Sequence, residues 1–316
     1  LHLALVSSAI GVVASAWFTV LWTRGVAEEA GRDRLDGSLV VLLAGATLAA
    51  VGLYAFAVGL NDLLDVKRDK ALRPGRPLAS GELSQQTAVN IVVGSLIASI
   101  LGSAAFGTAG VLLTGALALL ILVFNGAARF VPAVGLGLLG LIHAAHMLVP
   151  NLELAFVWPL WLVMTHTMVV HTVAYRMSRK VPPISGRAMA AIVGTWLAWT
   201  LCLAALAWDR SGGTGLWPDW VPALAWVWPA LAGGACWAWC VRRVRSTGSG
   251  PRSAEKVLRY GSLWPAFYGF AWLAGAGLWG QAWIMAGLAA AGIVGLTALR
   301  EGYALVQHPP GYRRRT

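Results

Sequence analysis

The chain has 316 residues, of which 58% are apolar and only 12% are charged, and its formal net charge is +11. Soluble domains carry about 25% charged residues, so this composition excludes an ordinary water-soluble fold. Continuous apolar runs of about 20 residues can each cross a bilayer as a helix, and they lack the alternation of a membrane β-barrel. No loop exceeds about 26 residues, which leaves no room for a separate soluble domain. We therefore expect an all-α, polytopic transmembrane helical bundle that forms a single domain over residues 1–316.

Apolar segments follow one another from end to end of the chain. They span approximately residues 1–22, 37–60, 87–106, 108–125, 132–150, 154–174, 187–208, 219–241, 258–278 and 281–299. The last two are separated only around Gly280 and Gln281, so they form either a tight hairpin or one broken helix. The sequence therefore predicts nine or ten transmembrane helices. No cleavable signal peptide is evident in the first segment.

The basic residues are distributed unevenly between the two sides of the predicted bundle. If the loops alternate in side, 20 of the 24 Lys and Arg residues share the side of the N-terminus, and the other side holds Arg24, Arg32, Arg34 and Arg210. The positive-inside rule makes the first side cytoplasmic. Ten crossings are favoured over nine, because nine would place Arg313, Arg314 and Arg315 outside. We expect these charges to lie near anionic lipid headgroups rather than to bind nucleic acid.

A cluster of carboxylates follows the second segment. If its helix continues, Asp62, Asp65 and Asp69 fall at positions i, i+3 and i+7 on one face, with Asn61 beside them. Three stacked carboxylates repel one another unless a cation lies between them, and Mg²⁺ prefers such oxygen ligands. The alternative is a solvated helix end whose acids pair with the neighbouring Lys67, Arg68 and Lys70. Charged groups at membrane depth are costly and usually functional, which favours the cation site.

The segment after the aspartates is typical of an ordered, phosphate-binding loop. Pro74 and Pro77 restrict the backbone, and the guanidinium groups of Arg73 and Arg76 can each bind phosphate through two hydrogen bonds.

The run NDLLDVKRDKALRPGRPLASG resembles the first signature of the UbiA superfamily of intramembrane prenyltransferases, NDxxDxxxD followed by RPxxxG. The matching positions are Asn61, Asp62, Asp65, Asp69, Pro74, Arg76, Pro77, Ser80 and Gly81. A weaker likeness covers residues 124–129, where the family often has a YN-x-x-LK type of sequence. There Asn125 matches, and Arg129 replaces the family's lysine. The order of segments and loops resembles the family over most of the chain.

The resemblance implies an enzyme that binds Mg²⁺ and an isoprenyl diphosphate. Asp62, Asp65 and Asp69 would hold the metal and assist ionisation of the allylic C–O bond, and an unidentified acceptor would capture the carbocation. The residues implied to contact the substrate in this part of the chain are Asn61, Arg73, Arg76, Asn125 and Arg129. The expected location is a bacterial cytoplasmic membrane, with both termini and the aspartates on the cytoplasmic side.

The chain departs from the family at the end of the sixth segment, where a second Asp-rich motif is usual. Residues 166–180 contain no acid, and between Glu82 and Asp209 the one carboxylate is Glu153, predicted on the opposite face. Three alternatives remain open. In the first, the enzyme works without the second motif, and pyrophosphate is contacted directly by His171, Tyr175, Arg176 and Arg179. Of these, His171, Tyr175 and Arg179 keep a four-residue helical spacing, so they could share one face. Otherwise the reaction has changed, for example to cyclisation, or the protein binds or moves an isoprenoid lipid without catalysis.

Three other histidines lie inside apolar segments. His143, His146 and His166 form a conceivable metal site. The alternative, which we favour, is that they are buried polar groups bonded to the backbone or to Thr165 and Thr167.

Overall fold

The computed structural model describes residues 3–30 and 35–307, and within them the fold is entirely helical. The helices are α1 (Leu3–Gly25), α2 (Ala27–Ala30), α3 (Leu39–Leu72), α4 (Pro77–Ser80), α5 (Gln85–Ser103), α6 (Gly107–Gly126), α7 (Pro132–Met147), α8 (Trp158–Met177), α9 (Gly186–Arg210), α10 (Val227–Thr247), α11 (Pro251–Leu263), α12 (Pro265–Gly275) and α13 (Trp279–Gln307). Two short 3-10 turns, Ala104–Phe106 and Ala128–Phe130, join α5 to α6 and α6 to α7. The predicted all-α class is confirmed.

Each predicted apolar segment corresponds to at least one long helix, with two differences. The eighth segment forms α10, which begins at Val227 rather than near residue 219. The ninth segment is divided between α11 and α12, because Pro265 has no N–H with which to continue the helical hydrogen bonds across Trp264. The last two segments form a hairpin, since α12 and α13 pack side by side after a turn at Gly277, whose φ is +78°.

Five stretches of the described helices are long and apolar enough to cross a membrane. They are Val6–Gly25, Leu39–Leu72, Gln85–Gly126, Gly186–Arg210 and Trp279–Gly302, and the third contains two helices. The figure of nine or ten crossings stays a prediction. Arg32, Arg34 and the basic tail with Arg313, Arg314 and Arg315 lie outside the described residues.

The first helix joins two apolar cores. One face of α1 contributes Phe18 and Trp22 to a cluster with α7, α8, α12 and α13, where Trp22 stacks on Phe156 at 4.9 Å between ring centroids. Its other face contributes Val13 and Val20 to a cluster with α3 and α6. The helix that ends in the aspartates is therefore fixed against the centre of the bundle.

Small residues bring α3 close to α5 and α7 close to α8. A Cβ on Gly52 would lie 2.7 Å from backbone atoms of α5, and Ser99 donates a hydrogen bond of 2.8 Å to the Ala49 carbonyl. A Cβ on Gly140 would lie 2.6 Å from the side chain of Met168. Such contacts are the usual means of close helix packing in membranes. They hold α7 against α8 along the stretch that carries His143 and His171.

A buried carboxylate fixes the end of the bundle that lies opposite the aspartates. Glu29, which is fully buried, accepts hydrogen bonds from the backbone N–H groups of Ala155 (2.9 Å) and Phe156 (2.8 Å) and from the indole of Trp22 (3.3 Å). Its carboxylate therefore ties α2 to the loop between α7 and α8. Nothing in the sequence around Glu29 distinguished it from its exposed neighbour Glu28.

We expect Glu29→Gln to destabilise the protein by about 2–3 kcal/mol, because charge-assisted bonds are lost and the amide NH₂ must face a backbone N–H. Thermal unfolding in detergent measures the effect. The matched control is Glu28→Gln, which changes an exposed side chain on the same short helix. Equal unfolding temperatures for the two variants would contradict this role for Glu29.

The predicted orientation is testable by cysteine labelling in a background without Cys202, Cys236 and Cys240. We expect single cysteines at Gly248, in the turn between α10 and α11, and at Pro310, outside the described residues, to react from the cytoplasmic side. A cysteine at Gly213 should react from the opposite side, because α9 and α10 flank that turn. Labelling of position 310 from outside would favour nine crossings.

Candidate diphosphate-binding site

The aspartates lie on the last turns of α3, as the sequence predicts. The helix begins with Ser38 as its N-cap and continues past the apolar segment to Leu72. Asp69 and Asp65 are largely buried, with 10% and 14% of their side chains exposed, and Asp62 is 45% exposed. Two of the three carboxylates are therefore shielded from water and require positive partners.

Two arginines distant in the sequence supply these partners. Arg129, from the turn between α6 and α7, donates to both oxygens of Asp65 at 2.6 and 3.1 Å, and it also donates to the side-chain oxygen of Asn61. Arg76, before α4, donates from one nitrogen, Nη1, to Asp69 at 2.7 Å and to Asp62 at 3.3 Å. The acids thus form two separate ion-pair groups.

These pairings differ from the alternative of a solvated helix end. Lys67, Arg68 and Lys70 are exposed, and none of them forms an ion pair within the described residues 3–30 and 35–307. Lys67 and Lys70 fall two and five residues after Asp65, which places them off the carboxylate face. Arg68 falls three residues after Asp65, within reach of that face, but it is not paired with it.

The remaining residues predicted in the first half of the chain have different surroundings. Asn125, which is buried, donates to the Ala57 carbonyl at 3.3 Å and to the Ile121 carbonyl at 3.2 Å, so its amide links α6 to α3. Arg73 is exposed at the end of α3. Contact of either residue with substrate stays a prediction.

The end of α8 contributes a cationic surface next to that of α3. The pKa of Lys180 lies below its usual value because of burial and because the positive charges of Arg73 and Arg68 are close. Since like charges crowd together here, the surface formed by Arg68, Arg73 and Lys180 is suited to an anion with several charges. The second Asp-rich motif missing from this helix end is replaced by positive charge.

The structure corrects one detail of the predicted second site. His171 and Tyr175 lie on α8, but the helix ends at Met177, and Arg179 has a φ of +51° beyond the cap. Arg179 therefore does not continue their helical face. The hydroxyl of Tyr175 donates to the Pro182 carbonyl at 2.8 Å, and Lys180 lies 5.5 Å from the centroid of its ring. Arg176 and Arg179 are exposed and form no ion pair with the residues the structure describes.

Two of the carboxylates, those of Asp62 and Asp69, are close enough to bind one divalent cation together. Asp62 and Asp69 already converge on one positive centre, Nη1 of Arg76, and Mg²⁺ is typically bound by one or two carboxylates together with substrate phosphates. Asp65 is held separately by Arg129. No group of three or more His, Cys, Asp or Glu residues in the described part of the chain is arranged to hold a metal ion by itself. That all three aspartates bind Mg²⁺ stays a prediction.

Two of the three histidines, His143 and His166, bond to the backbone, as we favoured, whereas Nδ1 of the buried His146 has no hydrogen-bond partner within the described residues. His166 donates from Nε2 to the Gly261 carbonyl at 2.8 Å, so its Nδ1 accepts from the hydroxyl of Tyr268 at 3.0 Å. His143 bonds through Nδ1 to the Leu139 carbonyl at 3.0 Å. His143 and His166 do not form the expected hydrogen bonds with threonine hydroxyl groups. The hydroxyl of Thr165 accepts a hydrogen bond from the indole of Trp196 instead.

The fold and the site define a helical membrane protein with an acidic helix end whose carboxylates are bound by arginines. The chain belongs to the UbiA prenyltransferase family, whose model matches residues 12–260. It is therefore an integral membrane protein of a prenyltransferase family.

Solved structures of UbiA homologues share the fold. A homologue from Aeropyrum pernix, in its apo form, is 18% identical with a TM-score of 0.57, over 84% of this chain and 97% of that one. A homologue from Archaeoglobus fulgidus, bound to DMAPP and Mg²⁺, is 17% identical with a TM-score of 0.50, over 86% of this chain and 99% of that one. At these identities the likeness shows the fold alone.

Curated relatives match over short stretches. Homogentisate geranylgeranyltransferase of Hordeum vulgare is 44% identical over 68 residues, which is 21% of this chain and 17% of the relative. Naringenin 8-dimethylallyltransferase 2 of Sophora flavescens is 46% identical over 50 residues, which is 16% of this chain and 12% of the relative. The chain thus matches less than a fifth of the length of these relatives.

Proposed function

We propose that the protein transfers an isoprenyl group from an isoprenyl diphosphate to an acceptor within the membrane, in an Mg²⁺-dependent reaction. The observation that carries this proposal is the juxtaposition at the end of α3. Two carboxylates converge there on the guanidinium group of Arg76. The same helix end carries Arg68 and Arg73, whose charges act on Lys180 just beyond α8. The end of α8 contributes no acid. A diphosphate needs both a divalent cation and fixed positive charge around its oxygens.

The protein's own groups have distinct tasks in this reaction. Mg²⁺ held by Asp62 and Asp69 would supply charge neutralisation for the departing pyrophosphate. Arg76 can exchange its carboxylate partners for phosphate oxygens, which a guanidinium group is able to bind through two parallel hydrogen bonds. Arg129 keeps Asp65 and Asn61 in place, so that the carboxylate face of α3 stays ordered.

The transfer itself needs little further chemistry from this end of the bundle. The allylic C–O bond breaks, its electron pair leaves with pyrophosphate, and the acceptor supplies the electron pair of the new bond. The apolar helices below the site exclude water, which would otherwise capture the carbocation. Support for a phenolic acceptor comes from the two matched relatives, which are named for homogentisate and naringenin.

Mass spectrometry of the products tests this proposal. The purified protein is incubated in liposomes with Mg²⁺ and a panel of dimethylallyl, geranyl and geranylgeranyl diphosphates, together with homogentisate or naringenin. We expect a prenylated phenol from at least one pair. A cyclic hydrocarbon without a phenolic adduct would instead indicate a cyclase, and unchanged diphosphates throughout would contradict the proposed transfer.

A further inference from the structure

Two histidines face each other between α7 and α8. The ring centroids of His143 and His171 are 6.3 Å apart, and both side chains are half-buried. His143 lies 11 residues after the start of α7, about 16 Å along the helix, and His171 lies six residues before the end of α8, about 9 Å along it. The start of α7 and the end of α8 both lie at the side of the bundle that carries the aspartates. The pair therefore lies inside the bundle, about two to three helical turns from these helix ends.

The hydrogen bonds of the pair fix its chemistry. His143 bonds through Nδ1 to the Leu139 carbonyl at 3.0 Å, and His171 bonds through Nδ1 to the Thr167 carbonyl at 2.9 Å. A carbonyl oxygen only accepts, so in each ring Nδ1 carries the proton. In the neutral imidazole the other nitrogen, Nε2, is then an unprotonated base. In each case the backbone carbonyl fixes the orientation of the imidazole ring, as the role of a general base requires.

Neither Nε2 atom is engaged by the protein. In the described ranges 3–30 and 35–307, no residue forms a hydrogen bond with Nε2 of His143 or His171. His146 and His166 differ. His166 uses both of its ring nitrogens, and Nδ1 of the buried His146 has no hydrogen-bond partner within the described residues and is closed to solvent. The Nε2 atoms of His143 and His171 are not fully buried, so both are accessible to a polar group.

We propose that His143 and His171 form the proton-accepting site for a phenolic acceptor, and this inference rests on the proposed function above. Ring carbons of a phenol attack the allylic carbocation, which forms a C–C bond, and the ring must then lose a proton to regain its aromatic character. The electrons of the ring C–H bond return to the ring, and the proton passes to Nε2 of the pair. From residue 83 to 208 the one carboxylate is Glu153, in the loop at the opposite end of α7 and α8, so the imidazoles are the bases available on these helices.

This assignment changes the expected role of His171. The sequence suggested direct contact with pyrophosphate, together with Tyr175 and the arginines. The structure places the ring of His171 6.3 Å from that of His143, on the turn of α8 that precedes Tyr175. The cationic end then binds the leaving group, and the imidazoles serve the acceptor.

The test compares the wild type with His143→Gln, His171→Gln and the double variant. Glutamine keeps a polar side chain but cannot accept the proton. Pyrophosphate release and prenylated phenol are measured together, with geranylgeranyl diphosphate, homogentisate and Mg²⁺ as the probes. The matched control is His146→Gln, which removes a buried imidazole from the same helix.

We expect the double variant to lose about 100-fold in prenylated product, the usual scale of a general base. Its carbocation should be diverted to water, so the ratio of prenyl alcohol to prenylated phenol should rise. Product formation from ring-deuterated homogentisate should become slower than from the protonated form, because loss of the proton becomes limiting. A purely structural role would produce neither the diversion nor the isotope effect, and His146→Gln should behave as the wild type.

Two results would contradict the proposed role of the histidines without contradicting the proposed prenyl transfer. One is a double variant that keeps the wild-type product ratio and shows no isotope effect. The other is a wild type that releases pyrophosphate but forms no phenolic adduct. A wild type that releases no pyrophosphate from any diphosphate would instead contradict the proposed function on which the inference rests.

Discussion

Replacement of Asp62 by Ala should weaken Mg²⁺-dependent binding of an isoprenyl diphosphate by about 100-fold or more, close to 3 kcal/mol. The loss follows because Asp62 and Asp69 share one cationic centre, and Asp69 alone leaves the cation a single carboxylate. Asp62 is 45% exposed, so its removal should leave the folded protein stable. Binding of an unreactive thiolo-diphosphate analogue, with and without Mg²⁺, measures the effect.

Asp65→Ala should also weaken binding, because it releases Arg129 and disorders the carboxylate face of α3, and it should carry an additional cost in stability. Its partner Arg129 is only 14% exposed, so the variant leaves a nearly buried guanidinium group without its carboxylate. Thermal unfolding of Asp62→Ala and Asp65→Ala separates the two effects. Glu82→Ala is the control, because Glu82 is an exposed carboxylate just beyond α4. If Asp62→Ala and Asp65→Ala both bind the analogue normally, the assignment of the diphosphate site is wrong.

The second large effect concerns the cationic end of α8. Arg176→Ala or Arg179→Ala should weaken binding of the same analogue by about 1.5–3 kcal/mol, or roughly 10- to 150-fold, the scale of a charge-assisted hydrogen bond. The physical reason is that both arginines are exposed and form no ion pair with the described residues, so their charge is free to bind phosphate. Arginine needs no metal to do so.

Arg245→Ala is the matched control for these arginines, since it removes an exposed charge from the end of α10, on the same predicted side of the membrane. Titration of Mg²⁺ with the bound analogue extends the test. We expect fewer Mg²⁺ ions per diphosphate than in relatives that have two Asp-rich motifs. Unchanged affinity in both arginine variants would exclude this replacement of the second motif and favour a protein without catalysis.

The sequence was sufficient for the helices and for the position of the acidic cluster. Apolar runs long enough for a bilayer specify helices directly, and the spacing of Asp62, Asp65 and Asp69 places them on one face of any helix that continues through them. The break at Pro265 was also encoded locally, because proline removes a backbone donor. The helix through residues 258–278 was nevertheless predicted as continuous, since hydropathy alone does not register that loss.

The partners of the acids could not be derived from the sequence. Arg129 is 64 residues away from Asp65, and the pair depends on how α6 packs against α3. The alternative of local pairing named Lys67, Arg68 and Lys70, none of which forms an ion pair within the described residues. Arg179 shows the same limit, because its four-residue spacing from Tyr175 predicts a common face only if α8 continues past Met177.

Pyrophosphate release is the most direct test of the proposed transferase activity. The purified protein in liposomes is given an isoprenyl diphosphate and a phenolic acceptor, with Mg²⁺ or with a chelator, and pyrophosphate is quantified over time. The account predicts release that requires Mg²⁺, yields a prenylated acceptor and is lost in Asp62→Ala. Tight binding of the diphosphate without any release of pyrophosphate would contradict it and would identify the protein as a lipid-binding scaffold.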